Sequence, residues 1–227
     1  MDPTANQRGV ALVVGAGDAT GSAIGARFAR EGYVACLTRR SADKLEPAVQ
    51  RIRAAGGQAF GYGSDARKEE EVVALVDQIE KEHGPIEVMV FNIGANVPSS
   101  ILEETGRKYM KIWEMAAFSA FLNAREVARR MVARGRGTIL FTGATAGTRG
   151  AANFAAFAGA KHSLRALAQS MARGLSSRAM LWASAWRASS ARAASTWPTS
   201  SWMAPSTPSS SAATSRNDTP SRSRTAS

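Results

Sequence analysis

The sequence has one cysteine, Cys36, in 227 residues. No internal disulfide can form, and cysteine usage gives no sign of an oxidising compartment. No apolar run reaches the roughly 18 residues that a membrane-spanning helix needs. The start, Met1-Asp2-Pro3-Thr4, lacks a basic patch followed by an apolar run, so no signal peptide is expected. These absences make a soluble, cytoplasmic protein with no membrane partner the expectation. No metal site is expected either.

Acidic residues are also scarce, and unevenly so. The formal net charge is +11, yet no aspartate or glutamate occurs between Glu126 and Asp218. Residues 1–173 carry 23 basic and 17 acidic residues, well mixed, as on an enzyme that binds phosphates. Residues 174–227 carry six arginines and one acid. No Lys/Arg cluster interleaves with aromatics along one face, so nucleic acid is not an expected partner.

Residues 1–173 alternate short apolar runs with longer amphipathic segments. Val10–Val14 is a continuous apolar run, as a strand buried on both faces requires. Further strands are expected at Tyr33–Thr38, Ala59–Tyr62, Ile86–Phe91 and Thr138–Thr142. Helices are expected at Gly21–Glu31, Ser41–Ala55, Lys68–His83, Tyr109–Arg134 and Phe154–Arg173. Gly56-Gly57, Gly84-Pro85 and Gly135 supply the stops. Strict alternation implies right-handed βαβ units and a doubly wound parallel α/β sheet of Rossmann type, with helices on both faces. Ligands bind such sheets beyond the carboxyl ends of the strands.

The pattern stops near residue 174. Residues 174–227 hold 16 serines, no lysine, no glutamate and four of the five tryptophans, and no strand-like apolar run. A natural disordered tail, a basic arm and a reading-frame shift in a GC-rich gene compete as explanations. Disordered tails are poor in tryptophan and basic arms usually contain lysine, which favours the frame shift. The domain division is therefore 1–173, a dinucleotide-binding domain, and 174–227, a Ser/Arg/Pro-rich tail.

Gly15-Ala-Gly17-Asp18-Ala-Thr20-Gly21 sits between the first strand and first helix. Glycines there let the backbone turn tightly against a pyrophosphate, and the helix N-terminus offers N–H groups and a positive dipole end. A structural strand–helix turn is the plainer alternative. The second strand runs into Arg39-Arg40, where an NAD-binding sheet usually carries an acid. Arginine there offers a charge-assisted grip on a 2′-phosphate, which favours NADP while leaving NAD possible. Two solvated arginines opening a helix would give the same sequence.

With this turn, Asn92-Ile-Gly94 after the fourth strand and Lys161 on the last helix, residues 8–173 resemble the classical short-chain dehydrogenases/reductases. The resemblance implies hydride transfer between NAD(P)(H) and a small carbonyl or hydroxyl substrate that the sequence does not identify. It also implies adenine contact at Asp65, though a helix-capping loop aspartate is the alternative. It places Asn92 and Gly94 beside the cofactor, and implies homo-oligomers through the long helices, which the altered C-terminus puts in doubt. The family's middle glycine is Ala19 here, whose methyl is expected to crowd the pyrophosphate or shift the turn.

The catalytic positions depart from the family pattern. Lys161 is kept, but the family's tyrosine, serine and asparagine fall on Phe157, Ala144 and Ala116. The chain resembles an atypical subgroup in which phenylalanine replaces the tyrosine. Thr145, Tyr109 and His162 are the candidate substitute proton donors, with His162 expected to face away from Lys161. A catalytically inactive NADP-binding scaffold is the alternative function. Sequencing the gene from independent isolates tests the frame-shift reading. Strand-forming sequence after about Arg173 is expected, and the same tail in every isolate refutes it.

Overall fold

The computed structural model describes residues 8–175 and 181–182, all within the unit Met1–Ala191. The tail residues beyond these lie outside the described set. In chain order the elements are β1 (Val10–Val14), α1 (Thr20–Arg30), β2 (Val34–Arg39), α2 (Glu46–Ala54), β3 (Ala59–Gly63), α3 (Glu69–His83) and β4 (Ile86–Phe91). There follow α4 (Gly106–Trp113), α5 (Ser119–Arg134), β5 (Thr138–Phe141), α6 (Ala155–Leu175) and β6 (Leu181–Trp182).

The strands lie in the order β3-β2-β1-β4-β5-β6, and every pair is parallel. β1 is buried at all five positions because it packs a core on each face. Leu12 and Val14 enter one core with Leu75 and Val76 of α3, Val127 and Met131 of α5, and Leu164 of α6. Val13 enters the other, with Leu37 of β2 and Val49 and Ile52 of α2. This is why the strand reads as unbroken apolar sequence with no alternation. Outside the first core, Arg130 and Arg134 of α5 bridge to Asp77 and Glu80 of α3.

Three local features differ from the sequence reading. The segment after β2 opens with a 3₁₀ turn, Ala42–Leu45, and the α-helix starts only at Glu46, with Pro47 in its first turn where a missing N–H costs nothing. The long helix starts at Gly106, not Tyr109, because Thr105 Oγ1 accepts from the Lys108 amide at 3.2 Å and caps it. It is then broken by a π-turn at Glu114–Phe118, where the Ser119 amide donates to Glu114 O. Beyond β5 the two-residue β6 pairs with Thr138 and Ile139, so one short strand follows where none was expected. Leu181–Trp182 is too short to stand out as a strand in sequence.

The turn after β1 is fixed by contact. Gly15 has φ +88°, and a Cβ on Gly21 would lie 2.5 Å from Ala16 Cα and 2.8 Å from Gly15 O. Both obstacles are backbone, so Gly21→Ala must push the turn away from the helix. The expected cost is about 2 kcal/mol, a fall in Tm of roughly 4–8 °C. Thermal unfolding measures it, and an unchanged Tm would show that the turn yields freely.

Candidate cofactor and active site

Strand order reverses between β1 and β4, and the chain leaves these two strands in opposite directions. A cavity of about 330 Å³ opens there, at the carboxyl ends of β1, β2, β3 and β4. Its floor is Gly15, Ala16 and Gly17. One end is walled by Arg39, Arg40, Ser64, Asp65 and Arg67, and the other by Asn92, Ile93, Gly94 and Met115. The Gly15 and Ala16 amides donate to Thr38 O at 3.1 and 2.9 Å, and Asn92 Nδ2 donates to Gly15 O at 3.2 Å. A Cβ placed on Gly17 would meet nothing within 4 Å, so the glycine leaves open space above the helix N-terminus.

Of the expected cofactor residues, Gly15, Gly17, Arg39, Arg40, Asp65, Asn92 and Gly94 line this one cavity. Gly21 is buried behind the turn, packed on Ala16. Thr20 is exposed as the first residue of α1. Asp18 is 90% exposed and pairs with Arg39 at 3.2 Å. Ala19, at φ −104° and ψ −96°, lines a groove between α1 and α2 and is not among the residues that line the cavity.

Charge at the rim is organised by pairs. Arg67 chelates Asp65, with Nε to Oδ1 at 2.9 Å and Nη2 to Oδ2 at 2.5 Å, and its amide also donates to Oδ1. These bonds hold the Asp65 carboxyl down to about 2. The helix cap that a loop aspartate could supply is not made here, since the N-cap of α3 is Lys68, with no side-chain bond. Arg39 donates to Asp18 and to Lys44 O, at 3.2 and 3.4 Å. Arg40 is exposed and its charge also favours the Asp65 carboxylate. The Asx-turn pattern Asp65-x-Arg67 was the available signal for Arg67. Asn123, buried on α5, donates to Ala66 O at 3.1 Å and to Ser119 O at 2.8 Å. It anchors the Ser64–Arg67 loop, and nothing in the sequence marked it.

Lys161 sits beyond the Gly94 end, 5% exposed. Its Nζ donates to Thr142 O at 2.9 Å and Ile93 O at 3.3 Å, joining the ends of β5 and β4. Gly94 lies against it, for a Cβ there would be 3.5 Å from Nζ, in ordinary van der Waals contact. Phe157, one turn earlier on the same face, lays its ring 6.0 Å from Nζ. Ala144 is half-buried before the 3₁₀ turn Thr145–Gly147, and Ala116 is fully buried in the π-turn against Ala156 and Ala160 of α6.

Two candidate donors are placed away from this point. A Cβ on Gly159 would lie 2.7 Å from the Tyr109 hydroxyl, and Gly159 is about 200° around α6 from Lys161. His162 is exposed, with Nδ1 2.8 Å from Ala158 O on its own helix. Thr145 remains, exposed beside Ala144. Among the described residues no group of three or more His, Cys, Asp or Glu could hold a metal, and no helix is long and apolar enough to cross a membrane.

The residues fit a dinucleotide. The floor offers open space at Gly17 beside the N-terminus of α1, the Arg39–Arg67 end is cationic, and the buried Ser64 hydroxyl at that end has no protein partner. Such an orphan suits a ligand with polar edges.

Desolvation pulls Lys161 from 10.5 down to about 8. Between those values the folded state holds fewer protons there than the unfolded chain, so this site's contribution to stability rises with pH. Wild-type stability relative to Lys161→Met is expected to climb by about 3 kcal/mol from pH 7 to 10.5, read by denaturant unfolding. A flat difference would show that the ammonium is not desolvated.

The sequence profile of the short chain dehydrogenases matches residues 9–181. A short-chain dehydrogenase/reductase of Armillaria gallica is 32% identical over 168 residues, covering 72% of this chain and 64% of the relative. The chain thus spans a little under two thirds of the length of that relative. Among solved structures, a short-chain dehydrogenase from Rhodopseudomonas palustris is 44% identical with a TM-score of 0.75, covering 86% of this chain and 95% of that one. A metagenomic short-chain oxidoreductase in complex with NADP is 26% identical with a TM-score of 0.75, covering 79% of this chain and 80% of that one.

Proposed function

The chain belongs to the short chain dehydrogenase family, and we propose that it is an atypical NADP(H)-dependent oxidoreductase acting on a small carbonyl or hydroxyl substrate. The observation that carries this reading is one cavity that joins Gly15, Arg39, Arg40, Asp65 and Gly94, with Lys161 packed against Gly94. NADP over NAD is supported by the arginine pair where an acid would accept ribose hydroxyls. Gly15, Gly17 and the N-terminus of α1 would hold the pyrophosphate. Arg39 and Arg40 would hold the 2′-phosphate, and Asn92, Gly94 and Lys161 the nicotinamide half.

The bound cofactor supplies or accepts a hydride, which needs no protein acid. The substrate oxygen also needs a proton, and a positioned acid contributes typically about 10²–10⁴-fold. Phe157 has no hydroxyl to give one. Its ring instead lies beside the Lys161 ammonium, which two backbone carbonyls already hold. Thr145 or solvent must then donate, and turnover is slow. Phe157 in place of tyrosine, with Lys161 kept, supports the atypical-subgroup reading.

Ala116, Ala144 and Phe157 favour a second reading, a scaffold that binds NADP without turnover. Assays of NADPH oxidation with carbonyl and enone substrates separate the two. Slow turnover lost in Lys161→Ala is expected, and no turnover with any substrate supports the scaffold. Phe157→Tyr combined with Ala144→Ser is expected to raise carbonyl reduction by about 10²-fold or more. No gain would show that the pocket does not present a carbonyl to these positions. A homo-oligomer through the two long helices, α4–α5 and α6, as family resemblance implies, is also proposed.

A further inference from the structure

We infer that Ser64 is a cofactor-binding residue, whose hydroxyl bonds to the adenosine half of the dinucleotide. The inference rests on the cofactor reading of the cavity given above.

Ser64 closes β3, beside the arginine pair. Its amide donates to Arg39 O at 3.0 Å, and the residue is only 8% exposed. Five buried side-chain polar atoms among the described residues have no hydrogen-bond partner: Ser64 Oγ, Glu104 Oε1, and the Nε atoms of Arg125, Arg130 and Arg134. The three arginines are bound through their other nitrogens, and Glu104 faces Lys108 at 3.7 Å. Of the residues that carry these five atoms, Ser64 alone lines the cavity.

The rest of its loop is held by named bonds. The Asp65 carboxylate is held by Arg67, the Asp65 amide donates to Glu71 at 2.7 Å, and Ala66 O accepts from Asn123. A rigid loop thus carries one buried polar group without a partner. A buried hydroxyl with no partner destabilises the empty protein, so it persists where something else uses it. Rotation about χ1 between staggered wells moves Oγ toward the cavity without shifting the backbone. A hydroxyl both donates and accepts, so it can meet a base edge or a ribose hydroxyl. The arginine pair fixes the half, because the end of β2 faces the adenosine ribose in such sheets.

Ser64→Ala separates a ligand role from a structural one. The apo protein's Tm and the affinities for NADPH and for 2′-phospho-ADP-ribose are measured on wild type and variant, by thermal unfolding and calorimetry. The expected result is an unchanged or higher apo Tm with affinity lower by about 3–10-fold, equally for both ligands. 2′-Phospho-ADP-ribose differs from NADPH only in lacking the nicotinamide, so an equal loss places the contact outside the nicotinamide. Unchanged affinities, or a loss seen with NADPH alone, overturn the inference. So does a fall in apo Tm with affinity kept, which would give the hydroxyl a protein partner. A wild type that binds neither ligand overturns the cofactor reading itself and this inference with it.

Discussion

One hydrogen bond spans the place where the sheet divides. Asn92 Nδ2 reaches across from the end of β4 to Gly15 O at the end of β1. On one side of it the chain winds toward β2 and β3, and on the other toward β5 and β6. The crevice exists because these two crossovers part there, and Asn92 keeps its lips in register. The Asn92 amide itself continues the sheet by donating to Val14 O at 2.8 Å. Gly15, in left-handed backbone, presents its carbonyl to Asn92 and its amide to Thr38 O, so three strands meet on one residue. The rest of the cavity is hung from this point.

Polar pairing then divides the proposed site in two. One half is paired: Asp65 with Arg67, Arg39 with Asp18, Ala66 with Asn123. In the other, proposed to be catalytic, Ala116, Ala144 and Phe157 present only carbon and Lys161 is the buried cation. With no phenol beside it, the Lys161 ammonium is held by two backbone carbonyls and the face of Phe157. The cost of that burial appears as a depressed pKa, near 8. Lys161 thus has a structural task, joining the ends of β4 and β5, that does not depend on catalysis. Its retention is consistent with either function proposed, and activity alone separates them.

Much of the fold was legible because its signals are local. Val10–Val14 reads as a strand with two buried faces, and Gly135 stops α5 with φ +70°. The glycine turn, Arg39-Arg40, Asp65 and Asn92-x-Gly94 were legible as a site because each follows a strand, and a parallel sheet brings strand ends together. What stayed hidden depends on distant partners. The π-turn rests on a bond from Ser119 back to Glu114, against a sequence that reads as continuous helix. Asn123 matters only because Ala66, 57 residues earlier, lies against it. Ala19 lines the α1–α2 groove, a placement that the motif's spacing does not give. Tyr109 looked available until packing set its hydroxyl over Gly159.

The central claim is that the cavity at the β1–β4 parting holds a nicotinamide dinucleotide and favours the 2′-phosphate. Calorimetric titration of the purified chain with NADPH and NADH tests it most directly. One saturable site is expected, tighter for NADPH by roughly tenfold at low salt, with the difference shrinking as salt screens the arginines. No saturable binding of either dinucleotide would contradict the claim, and equal affinity for both would remove Arg39 and Arg40 from the recognition of the phosphate.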